Sequence, residues 1–182
     1  MKVLAILTDG FEDTEGLGTI DILRRANIEV VTASPTKSKK IITQYQQPLE
    51  TMTLLSDVDV DGFIALFIPG GGAVFKVLDH NKEVESIIHH FVQNDKLVCS
   101  ICAGPHLIGK HGYFKNHKYT CYPHCDKEIK EGLRLNEGVV VDGNFITGKS
   151  MYYTSLFALE IVRRLKGEEE YTKVLKAIKG EN

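Results

Sequence analysis

Cys102 is the residue of this sequence whose surroundings point most directly to chemistry. It follows an apolar run over residues 97–101, which predicts a buried strand, and it precedes Gly104 and Pro105. Glycine permits a tight turn and proline suits the first position of a helix, so we expect a strand-to-helix turn at Cys102. Such a turn exposes a nucleophile, and the helix N-terminus favours thiolate over thiol. The pattern therefore predicts a reactive cysteine.

Two other interpretations of Cys102 remain open. A free cysteine is most often a buried structural residue, and Cys99 fits that description because it lies within the strand run. Cys99 and Cys102 also have the C-x-x-C spacing of a redox pair. A thioredoxin-type pair begins at a helix start, however, whereas Cys99 lies in a strand. Disulfide exchange is therefore the less favoured interpretation.

Two further signals follow other predicted strands. The acidic residues Glu12, Asp13 and Glu15 follow the first strand, and a loop over residues 69–72, Pro-Gly-Gly-Gly, follows the third. Ligands of parallel sheets bind beyond the carboxyl ends of the strands, where these signals and Cys102 would meet. Glu15 either complements a helix dipole or, if it faces Cys102, is a carboxyl of raised pKa that shuttles protons.

The glycine loop also has two interpretations. It is either a simple tight turn or a set of backbone N–H groups that stabilise an oxyanion. No Gly-Lys-Ser/Thr sequence follows it, so it is not a phosphate-binding loop. His117, Cys121, His124 and Cys125 are metal-ligand types, but their spacing resembles no standard zinc pattern. We therefore predict neither a metal nor a cofactor.

Strand-like and helix-like runs alternate along the chain, which indicates an α/β fold with a mostly parallel sheet covered on both faces. We expect a single domain over residues 1–182. Strands are predicted at 2–7, 28–33, 63–68, 97–101 and 119–122, a hairpin at 139–147 and an antiparallel excursion at 41–55. Helices are predicted at 15–26, 84–92, 105–110, 154–165 and 171–178.

Composition limits the classes of function. The 182 residues are 43% hydrophobic and carry a formal net charge of −2, so nothing favours a nucleic acid or an anionic membrane as partner. No apolar run is long enough to span a bilayer, and the N-terminal run is too short for a signal peptide. We therefore expect a cytoplasmic protein whose four cysteines are reduced thiols.

Several of these motifs together resemble the ThiJ/PfpI superfamily, and its DJ-one branch most closely. They are Glu15 after the opening strand, Ile-Pro-Gly-Gly at 68–71, Ile-Cys-Ala-Gly-Pro at 101–105, and the stretches 21–26 and 157–162. The resemblance implies a flavodoxin-like three-layer sandwich with a mostly parallel central sheet, and a homodimer.

The resemblance also implies roles for individual residues. Cys102 becomes the nucleophile, with Glu15 hydrogen-bonded to it. The backbone N–H groups of Gly71 and Ala103 face the substrate oxygen. The neighbouring Gly70, together with Tyr153, completes the predicted substrate pocket.

The activities implied by the resemblance are a glutathione-independent glyoxalase, deglycation of methylglyoxal adducts, and an oxidation-sensitive chaperone or stress function. The sequence departs from the family at three places. Ala103 replaces the histidine of the protease-like branch, which leaves Glu15 as the proton partner. The pocket histidine of the DJ-one branch has no clear match, since the aligned stretch is 132–136. Tyr152 and Tyr153 replace part of a Gly-Pro-Gly-Thr segment, which would narrow or reshape the site.

We therefore predict a cysteine-dependent enzyme acting on a small carbonyl substrate such as methylglyoxal. The alternative is an oxidative-stress sensor or redox-regulated chaperone that uses the same cysteine.

Overall fold

The strands of the protein are short in the computed structural model, which describes residues 1–181, and β1, β2, β6, β7 and β11 are mostly buried. They are β1 Lys2–Ile6, β2 Glu29–Ser34, β3 Lys40–Ile42, β4 Pro48–Glu50, β5 Thr53–Leu54, β6 Ala65–Ile68, β7 Leu97–Ile101, β8 Lys118–Tyr119, β9 Leu133–Arg134, β10 Val139–Asp142 and β11 Phe145–Gly148. The α-helices are α1 Thr19–Arg25, α2 Lys82–Gln93, α3 Pro105–Gly109, α4 Thr154–Lys166 and α5 Glu168–Lys179. Two π-helical turns, Thr14–Gly18 and Val74–Leu78, and 3-10 turns at Leu55–Asp57, Val60–Gly62 and Met151–Tyr153 complete the regular structure.

Seven strands form the central sheet in the order β10-β11-β7-β6-β1-β2-β5. Neighbouring strands are parallel except β10 and β11, which form the predicted antiparallel hairpin. Strands β7, β6 and β1 are neighbours, so their carboxyl ends lie side by side. The order along the chain reverses at β1 and β6, and such a switch point is where ligands of open α/β sheets bind.

Helices cover both faces of this sheet. Alternate residues of β1 point to opposite sides because side chains alternate along a strand. Val3 and Ala5 belong to a core that also contains buried residues of α1 and α4. Leu4 and Ile6 belong to a second core with the buried face of α2. The predicted α/β sandwich of three layers is confirmed.

The predicted helix at 15–26 is divided in the structure. Its first turn is the π-helical turn Thr14–Gly18, and α1 begins only at Thr19. Only glycine fits at position 16 of this turn, because a Cβ there would lie 2.3 Å from the buried ring of Phe11. The wide turn therefore rests directly on an aromatic side chain, and it carries Glu15 into the protein.

The predicted strand at 119–122 is wrong beyond Tyr119. The Thr120 amide donates to Oγ1 of Thr147 at 2.9 Å, and the Tyr122 amide donates to the Cys102 carbonyl at 2.9 Å. These bonds replace a strand ladder and tie the segment to the end of β7. The antiparallel excursion predicted at 41–55 is confirmed for β3 and β4, which form a separate ribbon, but it is wrong for β5, which joins the central sheet parallel to β2.

The helices described in residues 1–181 do not combine the length and hydrophobicity that a membrane crossing requires.

Candidate active site

Cys102 lies between β7 and α3 with a left-handed backbone, at φ +62°. This conformation is uncommon outside glycine and costs on the order of 1–3 kcal/mol. Backbone hydrogen bonds on both sides hold it in place. The Cys102 amide donates to the Gly148 carbonyl at 2.8 Å, and the Cys102 carbonyl accepts from the Tyr122 amide at 2.9 Å. A strained residue on a strand-to-helix turn is the geometry of a nucleophile elbow, as predicted.

The side chain of Glu15 is buried, with 1% of its surface exposed. Its Oε2 accepts the amide of Gly70 at 2.9 Å, and its carboxyl group lies beside the Cys102 side chain, since a Cβ at Gly70 would touch both. Its own amide donates to Oε2 of Glu12 at 2.7 Å, which fixes the turn. Within residues 1–181 no cation pairs with this carboxyl. The structure therefore brings the predicted acid and the predicted thiol together.

The protonation of Glu15 is poised near neutral pH. Burial raises the pKa of the Glu15 carboxyl to about 7, because the carboxylate loses its water. The charge of Glu12 acts in the same direction, whereas the hydrogen bonds from Cys102 and Gly70 oppose it. A group with this pKa is populated in both protonation states at neutral pH, which suits proton transfer in either direction.

The pKa of the Cys102 thiol differs from the sequence-based expectation. Burial raises its pKa above that of a free cysteine, and the charge of Glu15 and the hydrogen bond to it add to this effect. Helix α3 has only five residues, so its dipole does not outweigh these effects. The prediction that the helix N-terminus favours thiolate is therefore wrong for the resting site. Protonation of Glu15 removes the negative charge that contributes to this raised pKa.

Gly70 and Gly71 bring backbone close to the acid and the thiol. A Cβ at Gly70 would lie 2.6 Å from Oε2 of Glu15 and 2.7 Å from Cβ of Cys102, so a side chain does not fit there. Gly71 has φ +95°, and its amide donates to no acceptor within the described chain. The Ala103 amide points toward the Cys102 sulfur. Free N–H groups beside a nucleophile are what an oxyanion requires.

A cleft of about 420 Å³ opens in front of the acid and the thiol. This volume suits a small organic ligand. Its walls are formed by Glu12, Glu15, Gln44, Tyr45, Gly71, Gly72, Phe75, Cys102, Ala103, Tyr122, Cys125, Ser150 and Met151. Gly71 and Ala103 line it as expected, whereas Gly70 supports the site from behind through Glu15.

The turn between β3 and β4 covers one side of the cleft. Oε1 of Gln44 accepts the Gly72 amide at 2.7 Å, which joins this turn to the glycine loop. Asp13 accepts from the Thr43 hydroxyl at 2.6 Å and from the Tyr45 amide at 3.2 Å. Asp13 therefore holds the turn in place. Sequence reasoning missed Gln44 and Tyr45, because a polar turn far along the chain carries no signal of where it folds back.

A second wall comes from Phe75, which lies in the π-helical turn Val74–Leu78. The ring of the buried His106 lies 5.0 Å from the Phe75 ring, and Nε2 of His106 contacts Oδ1 of Asp79 at 2.9 Å. Both π-helical turns of the described chain thus flank the cleft. Such turns occur frequently at functional sites.

The expectation that Tyr153 lines the pocket does not match the structure. The ring of Tyr153 packs against Gly138, where a Cβ would lie 2.3 Å from it, and Tyr153 does not line the cleft. Ser150 and Met151 of the same segment line it instead. The stretch 132–136, which offers no pocket histidine, lies outside the wall, and Tyr122 and Cys125 line it.

The potential metal ligands His117, Cys121, His124 and Cys125 do not form a metal site. Cys121 is fully buried, whereas Cys125 lines the cleft, and Nδ1 of His117 lies 3.7 Å from a carboxylate oxygen of Asp142. No group of three potential metal ligands converges in residues 1–181. The cluster did contain a signal for Tyr122 and Cys125, but its residue types suggested only a metal site.

Replacing Gly70 by alanine should destabilise the protein. The added methyl group would press against Glu15 and Cys102, and overpacking of this kind costs about 1–3 kcal/mol. Gly72→Ala is the matched control, because its Cβ would have no neighbour nearer than 3.8 Å. Urea unfolding measures both free energies. Equal losses in the two variants would contradict the close packing described at Gly70.

The raised pKa of Glu15 also predicts a pH dependence of stability. The folded state binds this proton more tightly than the unfolded chain, whose ordinary pKa is 4.5. The resulting stability is fully present below pH 4.5 and is lost as the pH rises through about 7. The loss amounts to about 3 kcal/mol.

Glu15→Gln stays uncharged and should lack this loss. Its free energy of unfolding relative to the unaltered protein should therefore increase as the pH rises through the same window. Urea unfolding over a pH series measures the difference. Parallel stability curves for the two proteins would show that the Glu15 pKa is not raised.

Known proteins share this sequence and this fold. Residues 1–164 match the DJ-1/PfpI family. The chain is 27% identical over 177 residues to DJ-1 homolog B of Arabidopsis thaliana, covering 97% of this chain and 40% of that protein. It is 32% identical over 168 residues to a protein of Pyrococcus abyssi named a deglycase, covering 91% of this chain and 100% of that protein.

A solved structure agrees with these matches. It is a cysteine-to-alanine mutant of a DJ-1 superfamily protein from Salmonella typhimurium, with a TM-score of 0.91 and 30% identity. The similarity covers 100% of this chain and 98% of that one. The family match extends over most of the sequence and is supported by relatives named DJ-1 and deglycase. The chain therefore belongs to the DJ-1/PfpI family, as its resemblance to the ThiJ/PfpI superfamily implied.

Proposed function

We propose that this protein is a glutathione-independent glyoxalase or deglycase-like enzyme that acts on methylglyoxal-type dicarbonyls or their adducts through Cys102. The observation that carries the proposal is the juxtaposition of Glu15 and Cys102 at a small cleft, with the Gly71 amide, unpaired within residues 1–181, in the same wall. A relative named a deglycase supports the same class of reaction. Its name does not specify a substrate for this chain.

The first step forms a covalent adduct. The thiol proton of Cys102 passes to Glu15, and the thiolate attacks the aldehyde carbon of methylglyoxal. The N–H groups of Gly71 and Ala103 stabilise the oxyanion that develops on the aldehyde oxygen. Glu15 then returns its proton to that oxygen, which completes a hemithioacetal and leaves Glu15 as a carboxylate.

The second step isomerises the hemithioacetal through an enediol. The Glu15 carboxylate removes the proton from the carbon bonded to sulfur and gives it to the ketone oxygen. Glu15 then removes the hydroxyl proton on the carbon bonded to sulfur, where a carbonyl forms, and delivers it to the neighbouring carbon, which had been the ketone carbon. The product is a lactoyl thioester on Cys102. Water hydrolyses this thioester to lactate and regenerates the thiol, so the net reaction adds one water to methylglyoxal. Because Glu15 and water move every proton, the reaction needs no cofactor.

Purified protein should convert methylglyoxal to lactate without glutathione. Cys102→Ser should abolish the reaction, because a serine hydroxyl is a much weaker nucleophile than a thiolate. Glu15→Gln should lower the rate by about 10²–10⁴-fold, the usual contribution of a positioned acid or base. An enzymatic lactate assay measures all three proteins.

Glu12→Gln is the matched control, since Glu12 also lines the cleft but contacts the amide of Glu15 rather than the thiol. Its rate should fall by much less than that of Glu15→Gln. A rate for Cys102→Ser equal to that of the unaltered protein would refute the proposed function.

A second candidate function, oxidative-stress sensing, depends on the same residues. Cys102 is partly exposed, and a protonated Glu15 can donate a hydrogen bond to an oxidised sulfur. The feature that favours this function is the raised pKa of Glu15, which keeps that donor available near neutral pH.

If Cys102 is a sensor, it should react with peroxide before the buried cysteines. Peptide mapping after brief exposure to hydrogen peroxide should show Cys102 modified before Cys99 or Cys121, because both of those are fully buried. Modification of Cys121 while Cys102 stays intact would exclude this second function.

A further inference from the structure

Cys125 lies in the wall of the same cleft as Cys102, and the proposed reaction does not use it. Two backbone hydrogen bonds in series connect these residues. The Tyr122 amide donates to the Cys102 carbonyl at 2.9 Å, and the Cys125 amide donates to the Tyr122 carbonyl at 3.1 Å. One turn of the chain therefore anchors the second thiol beside the elbow that carries the first.

The remaining cysteines are placed differently. Cys99 and Cys121 each have 0% of their surface exposed, whereas Cys102 and Cys125 are partly exposed. Cys102 and Cys125 also line the cleft, and neither Cys99 nor Cys121 does. A small oxidant that enters the cleft to reach Cys102 therefore meets one other thiol, that of Cys125.

The two thiols and Glu15 share one electrostatic environment. Burial raises the pKa of the Cys125 thiol, and the charges of Asp126 and Glu15 add to that effect. Cys125 in turn contributes to the raised pKa of Cys102. These mutual effects fit the geometry, in which both sulfurs and the carboxyl group face the same small volume.

We propose that Cys125 is the resolving cysteine for Cys102, so that a peroxide converts the pair to an intramolecular disulfide. The Cys102 thiolate first attacks the peroxide, whose O–O bond breaks, and the sulfur becomes a sulfenic acid. The sulfur of Cys125 then attacks the Cys102 sulfur. The S–O bond breaks, and the hydroxyl leaves with the Cys125 proton as water. With hydrogen peroxide, two thiols and one peroxide give one disulfide and two waters.

The disulfide would protect the nucleophile. A sulfenic acid without a nearby thiol is oxidised further to a sulfinic acid, which thiol reductants do not reverse. A disulfide is reduced readily, so the oxidised enzyme would be switched off reversibly. This inference rests on the proposed function only in requiring that Cys102 is the reactive thiol.

The test is limited oxidation of the whole protein. Dilute protein is treated with one equivalent of hydrogen peroxide, remaining thiols are alkylated, and peptides are mapped without reduction. We expect a cross-linked peptide pair containing Cys102 and Cys125, and the loss of two hydrogens in the intact mass of the monomer. Activity with methylglyoxal should return after treatment with dithiothreitol.

Two variants test whether Cys125, rather than another cysteine, forms the disulfide with Cys102. Cys125→Ser should give no cross-link, accumulate sulfenic and sulfinic acid at Cys102, and recover little of its own untreated activity after dithiothreitol. Cys121→Ala is the matched control, and it should still form the cross-link. Sulfinic acid at Cys102 of the unaltered protein without a cross-link, or a cross-link to Cys121, would overturn the inference.

Measuring the disulfide by mass and lactate by assay distinguishes a failure of this inference from a failure of the proposed function. Lactate formation without the disulfide would overturn the resolving role of Cys125 and leave the enzyme assignment in place. The disulfide without lactate formation would support the resolving role and overturn the glyoxalase assignment.

Discussion

The buried carboxyl group of Glu15 connects the three segments that make up the site. It lies on the turn after β1, accepts the amide of Gly70 after β6, and lies beside Cys102 after β7. These strands are neighbours in the sheet, so one carboxyl group can reach all three segments. Without that contact the glycine loop would lose an acceptor for a buried amide, and the thiol would lose its proton partner.

Three local features of the site would each destabilise the folded protein if they stood alone. The Glu15 carboxyl is buried with no cation paired to it within residues 1–181, Cys102 has a left-handed backbone, and Glu15 lies in a π-helical turn. Each feature opposes ordinary local preference, and such features persist only where the surrounding structure determines them. Here the surroundings are the buried strands on either side and the hydrogen bonds from Gly148 and Tyr122. The residues with these unfavourable features, Glu15 and Cys102, are those that act in the proposed reaction.

The contrast between Cys102 and Cys99 shows how location separates chemistry from structure. The two thiols are three residues apart, yet Cys99 lies within the sheet and Cys102 lies at its edge. Cys102 alone of these two meets an acid, a free amide and a cleft. Cys125, from a distant part of the chain, shares that cleft because the Tyr122 amide binds the Cys102 carbonyl. Position in the fold, rather than residue type, decides which thiols line the cleft.

Local sequence was sufficient for the fold class and for the turn at Cys102. Continuous apolar strands between amphipathic helices predicted the sandwich, and the apolar run before Gly104 and Pro105 predicted the turn at Cys102. These signals are local, because hydrophobic periodicity and turn chemistry act over a few residues. Glu15 required the additional knowledge that carboxyl ends of neighbouring strands meet.

Only the tertiary structure decided the remainder of the site. The wall of Tyr122 and Cys125, the covering turn with Gln44, and the exclusion of Tyr153 all depend on contacts between residues far apart in sequence. The same holds for the pKa of Cys102, since the burial and the Glu15 charge that raise it arise only on folding. A sequence determines which groups are present and which backbone they prefer. Their distances and their access to water, which set reactivity, exist only once the chain has packed.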